Sequence, residues 1–271
     1  MIDLKFGLFW SGCDLSYLRY LTFKSLRHWH PDSTIELYIS KGYKADGFKW
    51  FVEKQDFQTN QFAQTVSMED IAALGVEIKE IDRFSKYPPN YQSDFFRWWW
   101  VKENGGFYLD TDQIILKSFK GLDRNCDFIY SAYKAPSCGI YTPVGVVGAS
   151  KASEIVQWIN QLLPRYYDPN NYNSLGPFML RSVLTSRKWK DSMYNTGSQL
   201  FYPISDSCYV PLLYKNLQAT EGLLDGLREA YALHWFGGHP DSQEFNASYT
   251  SDKAASGLDL ISTILRDKEI I

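Results

Sequence analysis

Two aspartates separated by one residue have the clearest chemical consequence in this sequence. Asp110 and Asp112 follow a glycine pair and a short apolar run, in the segment Gly105-Gly-Phe-Tyr-Leu-Asp-Thr-Asp112. Alternate side chains of an extended segment point the same way, so both carboxylates can reach one point in space. Carboxylate oxygens are preferred ligands of Mg²⁺ and Mn²⁺, and such an ion keeps open positions that substrate phosphates can fill. The spacing therefore predicts a divalent-cation site in an enzyme.

A charged pair lies shortly before these aspartates in an otherwise apolar segment. Residues 93–100 read Ser-Asp-Phe-Phe-Arg-Trp-Trp-Trp, which predicts a helix that is buried almost all round. Asp94 and Arg97 lie three positions apart and share one face of that helix. They could form an ion pair that holds the helix end, or they could line a cleft and grip a polar ligand. The short glycine link to the aspartates favours the cleft.

The surrounding elements follow an α/β pattern. Strands are predicted at 4–10 and 34–40, joined by a helix over about 15–29 with Asp14 as its N-cap. This β-α-β opening indicates a parallel sheet. Candidates for the buried face of the helix are Leu15, Leu18, Leu21, Phe23 and Leu26.

Later segments extend the same pattern. Further strands are predicted at 76–81, 107–109, 127–132, 144–149 and 231–236. Further helices are predicted from Ser67 to Gly75 and near 93–103, 153–163, 174–185 and 256–267. Residues 41–66 are irregular and polar. Irregular stretches of this length are uncommon in compact domains unless they are functional or form a small subdomain, so we interpret this one as an insertion. A single domain over 1–271 fits the whole chain.

Composition excludes several classes of protein. The 28 basic residues nearly balance the 31 acidic ones, so the net charge creates no positive electrostatic field that would attract nucleic acid. No polybasic patch for a membrane surface is obvious. Cysteines at 13, 126, 138 and 208 have no zinc-site spacing and indicate a reducing compartment. No basic leader precedes an apolar run, and no apolar stretch is long enough to span a bilayer. We expect a soluble cytoplasmic protein, with peripheral membrane association left open.

The chain resembles a known enzyme family. The segments Tyr91-Gln-Ser-Asp-Phe-Phe-Arg97 and Gly105-Gly-Phe-Tyr-Leu-Asp-Thr-Asp112 are similar to the glycosyltransferase family with a DXD-containing sugar-binding region. This family includes the clostridial glucosylating toxins and the yeast initiating α-1,6-mannosyltransferase. The match is clearest over 91–116, with weaker similarity at Phe9-Trp-Ser-Gly12 and Leu175-Gly-Pro-Phe-Met-Leu180. The resemblance implies a GT-A type fold, a Rossmann-like mixed sheet flanked by helices with its active site at the carboxyl ends of the strands.

The resemblance also implies roles on the donor side of the site. Trp10 would stack on the nucleobase, because aromatic faces bind flat rings. Asp94 would accept hydrogen bonds from donor sugar hydroxyls, and Arg97 would meet sugar or diphosphate oxygens through its planar fork. The alternative for Trp10 is a core position at the end of a strand.

Roles at the metal follow from the same resemblance. Asp110 would contact ribose and metal, and Asp112 would hold Mn²⁺ or Mg²⁺ directly. Tyr108 lies two residues before Asp110 and therefore points to the same side. It would touch the donor or, equally well, be a core tyrosine.

Two histidines lie in the late segment Leu233-His-Trp-Phe-Gly-Gly-His-Pro240. Family members often close the cleft here with a His followed by a Gly-Ser-Trp-like element, but this chain has His239-Pro240 in place of Ser-Trp. We expect His234 near the diphosphate and His239 as a metal or phosphate contact. The chain also departs from the family near 139–149, where it lacks the usual Asn that touches the donor sugar.

Together these features predict a retaining, metal-dependent hexosyltransferase. It would move a hexose from a nucleotide sugar, with a UDP-sugar favoured, to a saccharide, glycolipid or protein hydroxyl in surface polysaccharide or glycoconjugate synthesis. One alternative is a non-catalytic sugar- or nucleotide-binding module of the same fold. The other is a haloacid-dehalogenase-type phosphohydrolase, which normally carries its Asp-x-Asp on the first strand and has Thr or Val where this chain has Ile114.

Overall fold

The computed structural model describes residues 2–11, 15–40, 62–122, 125–135, 139–205, 207–215 and 227–271. The strands in these ranges are β1 Lys5–Trp10, β2 Leu15–Ser16, β3 Thr34–Ser40, β4 Thr65–Val66, β5 Glu77–Ile81, β6 Gly106–Leu109, β7 Gln113–Ile115, β8 Phe128–Tyr130, β9 Tyr133–Ala135, β10 Gly139–Tyr141, β11 Val146–Ala149, β12 Met193–Asn195 and β13 Ala232–His234. The α-helices are α1 Tyr17–Trp29, α2 Met68–Ala73, α3 Pro89–Asn104, α4 Glu154–Tyr166, α5 Met179–Leu184, α6 Pro240–Ser248, α7 Ser251–Ser256 and α8 Leu260–Asp267.

One mixed sheet dominates the described part of the chain. Seven strands lie in the order β12-β8-β11-β6-β1-β3-β5. β1 pairs in parallel with both β3 and β6, whereas β11 pairs antiparallel with both β6 and β8. A parallel β-α-β half that continues into a sheet with a reversed strand is the arrangement expected of a GT-A type domain. The predicted α/β fold, a mixed sheet flanked by helices, is confirmed.

The order of the strands determines where a ligand can bind. β3 and β5 extend the sheet on one side of β1, and β6 lies on its other side, so the winding reverses between β1 and β6. Ligands of open α/β sheets bind in the crevice at such a switch point, outside the carboxyl ends of the strands. Trp10 ends β1 and Leu109 ends β6, so the residues that follow Leu109 lie at this crevice.

Helices cover both faces of the sheet because the side chains of β1 alternate. Phe6 and Trp10 belong to the apolar cluster that includes the buried face of α1, whereas Phe9 belongs to the cluster built on α3 and α4. On the α3 face, a Cβ at Gly7 would collide with the ring of Trp100. Glycine at this position therefore lets α3 pack directly on the strand.

The first helix differs from its prediction at one end only. All the residues predicted for its buried face are fully buried, which confirms the helix period. The helix begins at Tyr17, and Ser16 is its N-cap because its hydroxyl accepts a hydrogen bond from the Arg19 N–H. The predicted cap, Asp14, lies outside the described residues, and Leu15 belongs to β2 instead of the helix.

The helix that carries Asp94 and Arg97 begins earlier than predicted. α3 starts at Pro89, whose ring and missing N–H suit the first position of a helix. It ends at Gly105, and both Gly105 and Gly106 have positive φ values, of 71° and 86°. Glycine adopts this backbone without strain, so the chain can turn directly from α3 into β6.

Several smaller elements were not predicted or were predicted with other bounds. The segment 174–185 is a π-helical turn, Ser174–Phe178, followed by α5, and 256–267 is divided between the end of α7 and α8. The insertion expected near 41–66 falls largely outside the described residues. Among the described helices, none is long and apolar enough to cross a membrane. The single-domain organisation stays a prediction.

Candidate active site

The Asp-Thr-Asp turn connects β6 to β7 at the switch point. The backbone N–H of Asp110 donates to the carbonyl of Gly145 at 2.8 Å, and the carbonyl of Asp112 accepts from the N–H of Trp235 at 3.0 Å. β13 pairs antiparallel with β7 so that His234 lies opposite Gln113. This pairing brings a histidine from late in the chain to the second aspartate.

Three side chains converge at this turn in a way that suits a metal ion. One ligand atom each from Asp110, Asp112 and His234 lies within 4.8 Å of the others. Nε2 of His234 and Oδ1 of Asp112 are 3.1 Å apart. Oδ1 of Asp112 is nevertheless buried without a hydrogen-bond partner that meets the usual geometry in the described part of the chain. An orphaned carboxylate oxygen beside an imidazole nitrogen fits a divalent cation that takes O and N ligands.

Asp112 is held in its ionised form by its neighbours. Burial alone would raise the pKa of this carboxyl, but His234, Arg19 and the N–H of Gly237 outweigh it and hold the pKa below its usual range. The Gly237 N–H donates to Oδ2 at 2.8 Å, which leaves Oδ1 for another partner. A carboxylate that stays ionised at all ordinary pH values is suited to bind a cation.

Arg97 connects the first aspartate of the turn to α3. Its Nη1 donates to Oδ1 of Asp94 at 2.5 Å, and its Nη2 donates to Oδ1 of Asp110 at 3.0 Å. Asp94 and Arg97 both line the cavity, so they form an ion pair and also face the cleft. Burial raises the pKa of Asp94 to about 6 despite the attraction of Arg97, and the nearby Asp110 adds to the rise.

Tyr108 lies beneath the site. It is fully buried, it does not appear among the residues that line the cavity, and its hydroxyl donates to Oδ1 of Asp110 at 2.7 Å. Ser93 lies 2.8 Å from the same hydroxyl, and the Arg97 guanidinium stacks on the ring at 4.7 Å. In this structure Tyr108 is a buried tyrosine that orients Asp110, which fits the core position expected as one of its two roles. Contact with the donor stays a prediction.

Trp10 lines the cavity at the end of β1 with only 6% of its surface exposed. One face of its indole is covered by the guanidinium of Arg19, whose Cζ lies 4.8 Å from the ring centroid. Stacking on a nucleobase would therefore use the other face or the edge that borders the cavity. The role of Trp10 stays a prediction.

His239 also borders the cavity but has a structural partner. Its Nδ1 accepts the backbone N–H of Asp241 at 3.3 Å, which makes it the N-cap of α6. Of the two histidines, His234 is the one that joins the aspartates in the cluster. Its position follows from β13, which ends at His234 and directs it toward Asp112. His239 was expected as a metal or phosphate contact, and that role stays a prediction.

Residues that were not predicted complete the cavity of about 380 Å³. Arg19, Gly145 and Tyr202 line it together with Asp110 and Asp112. The Tyr202 hydroxyl accepts the Val146 N–H at 2.9 Å, so it is fixed beside the cluster. The sequence signal for Arg19 was its position four residues after Leu15 and three before Thr22, on the buried face of α1.

Comparison with known proteins agrees with this geometry. Residues 20–129 match the model of a family described as glycosyltransferase sugar-binding region containing DXD motif. No match was found among curated proteins.

Solved structures of glycosyltransferases are similar to the whole described fold. The PaToxG glycosyltransferase is 18% identical with a TM-score of 0.48, covering 98% of this chain and 87% of that one. The glycosyltransferase GlyE of Streptococcus pneumoniae TIGR4 is 15% identical with a TM-score of 0.49, covering 99% of this chain and 61% of that one. The galactosyltransferase LgtC, solved with donor and acceptor sugar analogs, is 12% identical with a TM-score of 0.46, covering 98% and 95%.

The resemblance to this family rests on the sequence match and not on these structures. The match includes α3 with Asp94 and Arg97, the glycine turn, and the Asp-Thr-Asp segment that the structure places at the switch point. Residues 20–129 are similar to the glycosyltransferase sugar-binding region with a DXD motif, and the resemblance seen in the sequence is confirmed.

Proposed function

We propose that this chain is a retaining, metal-dependent glycosyltransferase that transfers a hexose from a nucleotide sugar, with UDP-sugars favoured, to an acceptor hydroxyl. The observation that carries the proposal is the cluster of Asp110, Asp112 and His234 at the mouth of a cavity between β1 and β6. The acceptor would be a saccharide, a glycolipid or a protein. Action in the cytoplasm, in surface polysaccharide or glycoconjugate synthesis, remains part of the proposal.

The cluster would hold Mn²⁺ or Mg²⁺ through two carboxylates and one imidazole. When bound, such an ion supplies a positive charge to the diphosphate that leaves with the nucleoside. Arg97 keeps Asp110 in place from one side, and the Gly237 N–H keeps Asp112 in place from the other. Supporting contacts of this kind orient metal ligands and raise the affinity of the site.

If configuration is retained as proposed, the charges around the cavity favour a route without a covalent glycosyl-enzyme. The carboxylates that line it, within the described residues, are Asp94, Asp110 and Asp112. The two aspartates of the turn belong to the metal cluster, and Asp94 is paired with Arg97. Since all three are engaged, we favour departure of the diphosphate and attack by the acceptor on the same face of the sugar.

Donor profiling tests the proposal and separates it from its alternatives. Thermal unfolding would be followed with UDP- and GDP-hexoses, each with Mn²⁺ and with a chelator. Binding to the native state raises the unfolding temperature by mass action. We expect at least one nucleotide sugar to stabilise the protein in a metal-dependent way, and anomeric NMR of the product to show retention. A binding module would show the stabilisation without turnover. A phosphohydrolase would release inorganic phosphate from phosphate monoesters.

A further inference from the structure

A buried arginine lies beside the metal cluster without a carboxylate of its own. Arg19 belongs to α1, lines the cavity and is only 7% exposed. Among its guanidinium nitrogens, Nη1 donates to the hydroxyl of Thr111 at 2.8 Å, and Nε is buried without an acceptor. Within the described residues Arg19 forms no ion pair with an acidic side chain. Its positive charge is therefore incompletely matched in the structure.

Two indole rings hold the guanidinium in place. Its Cζ lies 4.8 Å from the ring centroid of Trp10 and 5.2 Å from that of Trp235. Each such contact offsets part of the cost of burying the charge, by about 0.5–2 kcal/mol. Removal of a cation from water costs more than this unless an anion or several hydrogen bonds compensate. The arrangement fixes a cation at the cavity whose charge acts on the nearby Asp112 carboxylate without a salt bridge to it, so the guanidinium can take an anion as a direct partner.

Thr111 and Gly237 locate the guanidinium relative to the metal cluster. Thr111 is the middle residue of the Asp-Thr-Asp turn, so its bond to Arg19 ties α1 to the two aspartates. A Cβ placed on Gly237 would lie 2.8 Å from Nη2 of Arg19 and 3.2 Å from Oδ2 of Asp112. The space between the guanidinium and the second aspartate is thus kept open by a glycine.

We propose that Arg19 binds the diphosphate of the nucleotide donor next to the metal ion, as a second cation of the site. The inference rests on the proposed function, because that function supplies the diphosphate. The flat guanidinium matches two phosphate oxygens at once, which suits a diphosphate. Its rigid support by Trp10 and Trp235 reduces the entropy that is lost when the anion binds.

This role makes Trp10 part of a larger unit. The guanidinium of Arg19 lies over the Trp10 ring, and Thr111 links the same guanidinium to the turn. Binding of a nucleobase at Trp10 and binding of a diphosphate at the guanidinium would then both affect the position of Arg19. If Arg19 only filled the gap between the rings, substitutes of similar length would bind the diphosphate equally well whether or not they were charged.

The test compares Arg19→Met with Arg19→Lys. Both substitutes are long and unbranched and can fill the space between the indoles, but only lysine keeps the charge. Arg165→Met, the same chemical change at an exposed position on α4, is the control. Dissociation constants would be measured for UDP and GDP with Mg²⁺ by calorimetry, and for inorganic pyrophosphate with Mg²⁺ by thermal shift. Unfolding of each ligand-free variant would be measured in parallel.

We expect Arg19→Met to weaken nucleoside diphosphate binding by about 10- to 100-fold, the value of a lost hydrogen-bonded charge. Arg19→Lys should recover a clear part of this loss, and Arg165→Met should bind like the wild type. Equal losses in the Met and Lys variants, or binding by Arg19→Met within about twofold of the wild type, would overturn the inference and leave the proposed function standing.

The pyrophosphate arm separates the two proposals in the remaining cases. If the wild type binds neither UDP nor GDP but is stabilised by pyrophosphate through Arg19, the anion site stands and the nucleotide assignment fails. If none of the three probes binds to the wild type, both proposals fail.

Discussion

Nε2 of His234 lies 3.1 Å from Oδ1 of Asp112, although the two residues are far apart in the sequence. The antiparallel pairing of β13 with β7 creates this proximity, since it places His234 opposite Gln113, the residue after Asp112. The Asp-x-Asp motif thus obtains its third polar group from the end of a late strand. The site depends on tertiary structure as much as on the motif.

The first prediction concerns the second aspartate. Asp112→Asn should abolish Mn²⁺-dependent transfer, because a neutral amide oxygen binds a divalent cation far more weakly than an ionised carboxylate does. The fold should remain, since the backbone bonds between Asp112 and Trp235 do not involve the side chain. Asp191→Asn, the same change at an exposed position, is the control for net charge. Full turnover by a folded Asp112→Asn protein would contradict the metal assignment.

The two late histidines should respond differently to substitution. His234→Ala should lower Mn²⁺ affinity by at least about tenfold, because it removes a candidate ligand or a group that orients one. His239→Ala should instead reduce stability by about 1 kcal/mol, because it removes the N-cap of α6. Metal titration and denaturant unfolding of both variants would measure the two effects. If His239→Ala lowers Mn²⁺ affinity and His234→Ala does not, His239 and not His234 is the metal contact.

These histidines show how much of the site the sequence could predict. Asp110 and Asp112 were assigned to one point because strand geometry is local, and Arg97 was placed nearby because the glycine link is short. The order of His234 and His239 could not be predicted, since it depends on the register of a three-residue strand. Arg19 was missed because arginine side chains are usually solvated, although its position falls on the buried face of α1, and its contacts with two tryptophans appear only in the tertiary structure.

A glycine next to the first aspartate offers a steric test. A Cβ at position 145 would lie 2.7 Å from Oδ2 of Asp110 and 3.1 Å from the Tyr202 hydroxyl. Gly145→Ala should therefore displace the Asp110 carboxylate and weaken metal binding by about tenfold. Gly121→Ala is the contrast, because a Cβ there meets open space while the φ of 84° strains the backbone. It should reduce stability by about 1 kcal/mol and leave metal affinity unchanged. Equal metal affinity in the wild type and in Gly145→Ala would show that the position of the Asp110 carboxylate does not depend on the space beside Gly145.

Stability should depend on pH through a histidine remote from the site. His30 is buried, and its Nε2 accepts the Phe119 N–H at 3.2 Å. Burial, and to a lesser degree Arg27, lowers the pKa of His30 from 6.5 to about 4. Between these values the unfolded chain binds a proton that the native protein does not, so stability falls as the pH falls.

The His30 contribution can be isolated by difference. Denaturant unfolding of the wild type and of His30→Gln would be compared at pH 8 and pH 5. The wild type should lose about 2 kcal/mol more than the variant over this range, because the other titrating groups are common to both. Parallel pH profiles for the two proteins would show that His30 does not titrate as expected.

The fold was more predictable than its boundaries. The strands β1, β3 and β5 and the buried face of α1 follow directly from apolar periodicity, and the structure has them close to where they were expected. The start of α3 was predicted near residue 93, too late, although Pro89 occupies the first helical position. Strands as short as β7 and β12 contain too few residues to show the alternation of apolar and polar side chains. They can be recognised only from the strands with which they pair.

The most direct test of the central claim is the metal-dependent use of a nucleotide sugar by the intact protein. Release of nucleoside diphosphate from UDP- and GDP-hexoses would be measured with Mn²⁺, with a chelator, and for Asp112→Asn as the inactive control. We predict that at least one donor is turned over with Mn²⁺, and that the chelator and the substitution each abolish the reaction. Turnover that is the same with and without the metal, or no turnover of any nucleotide sugar by a folded protein, would contradict the account.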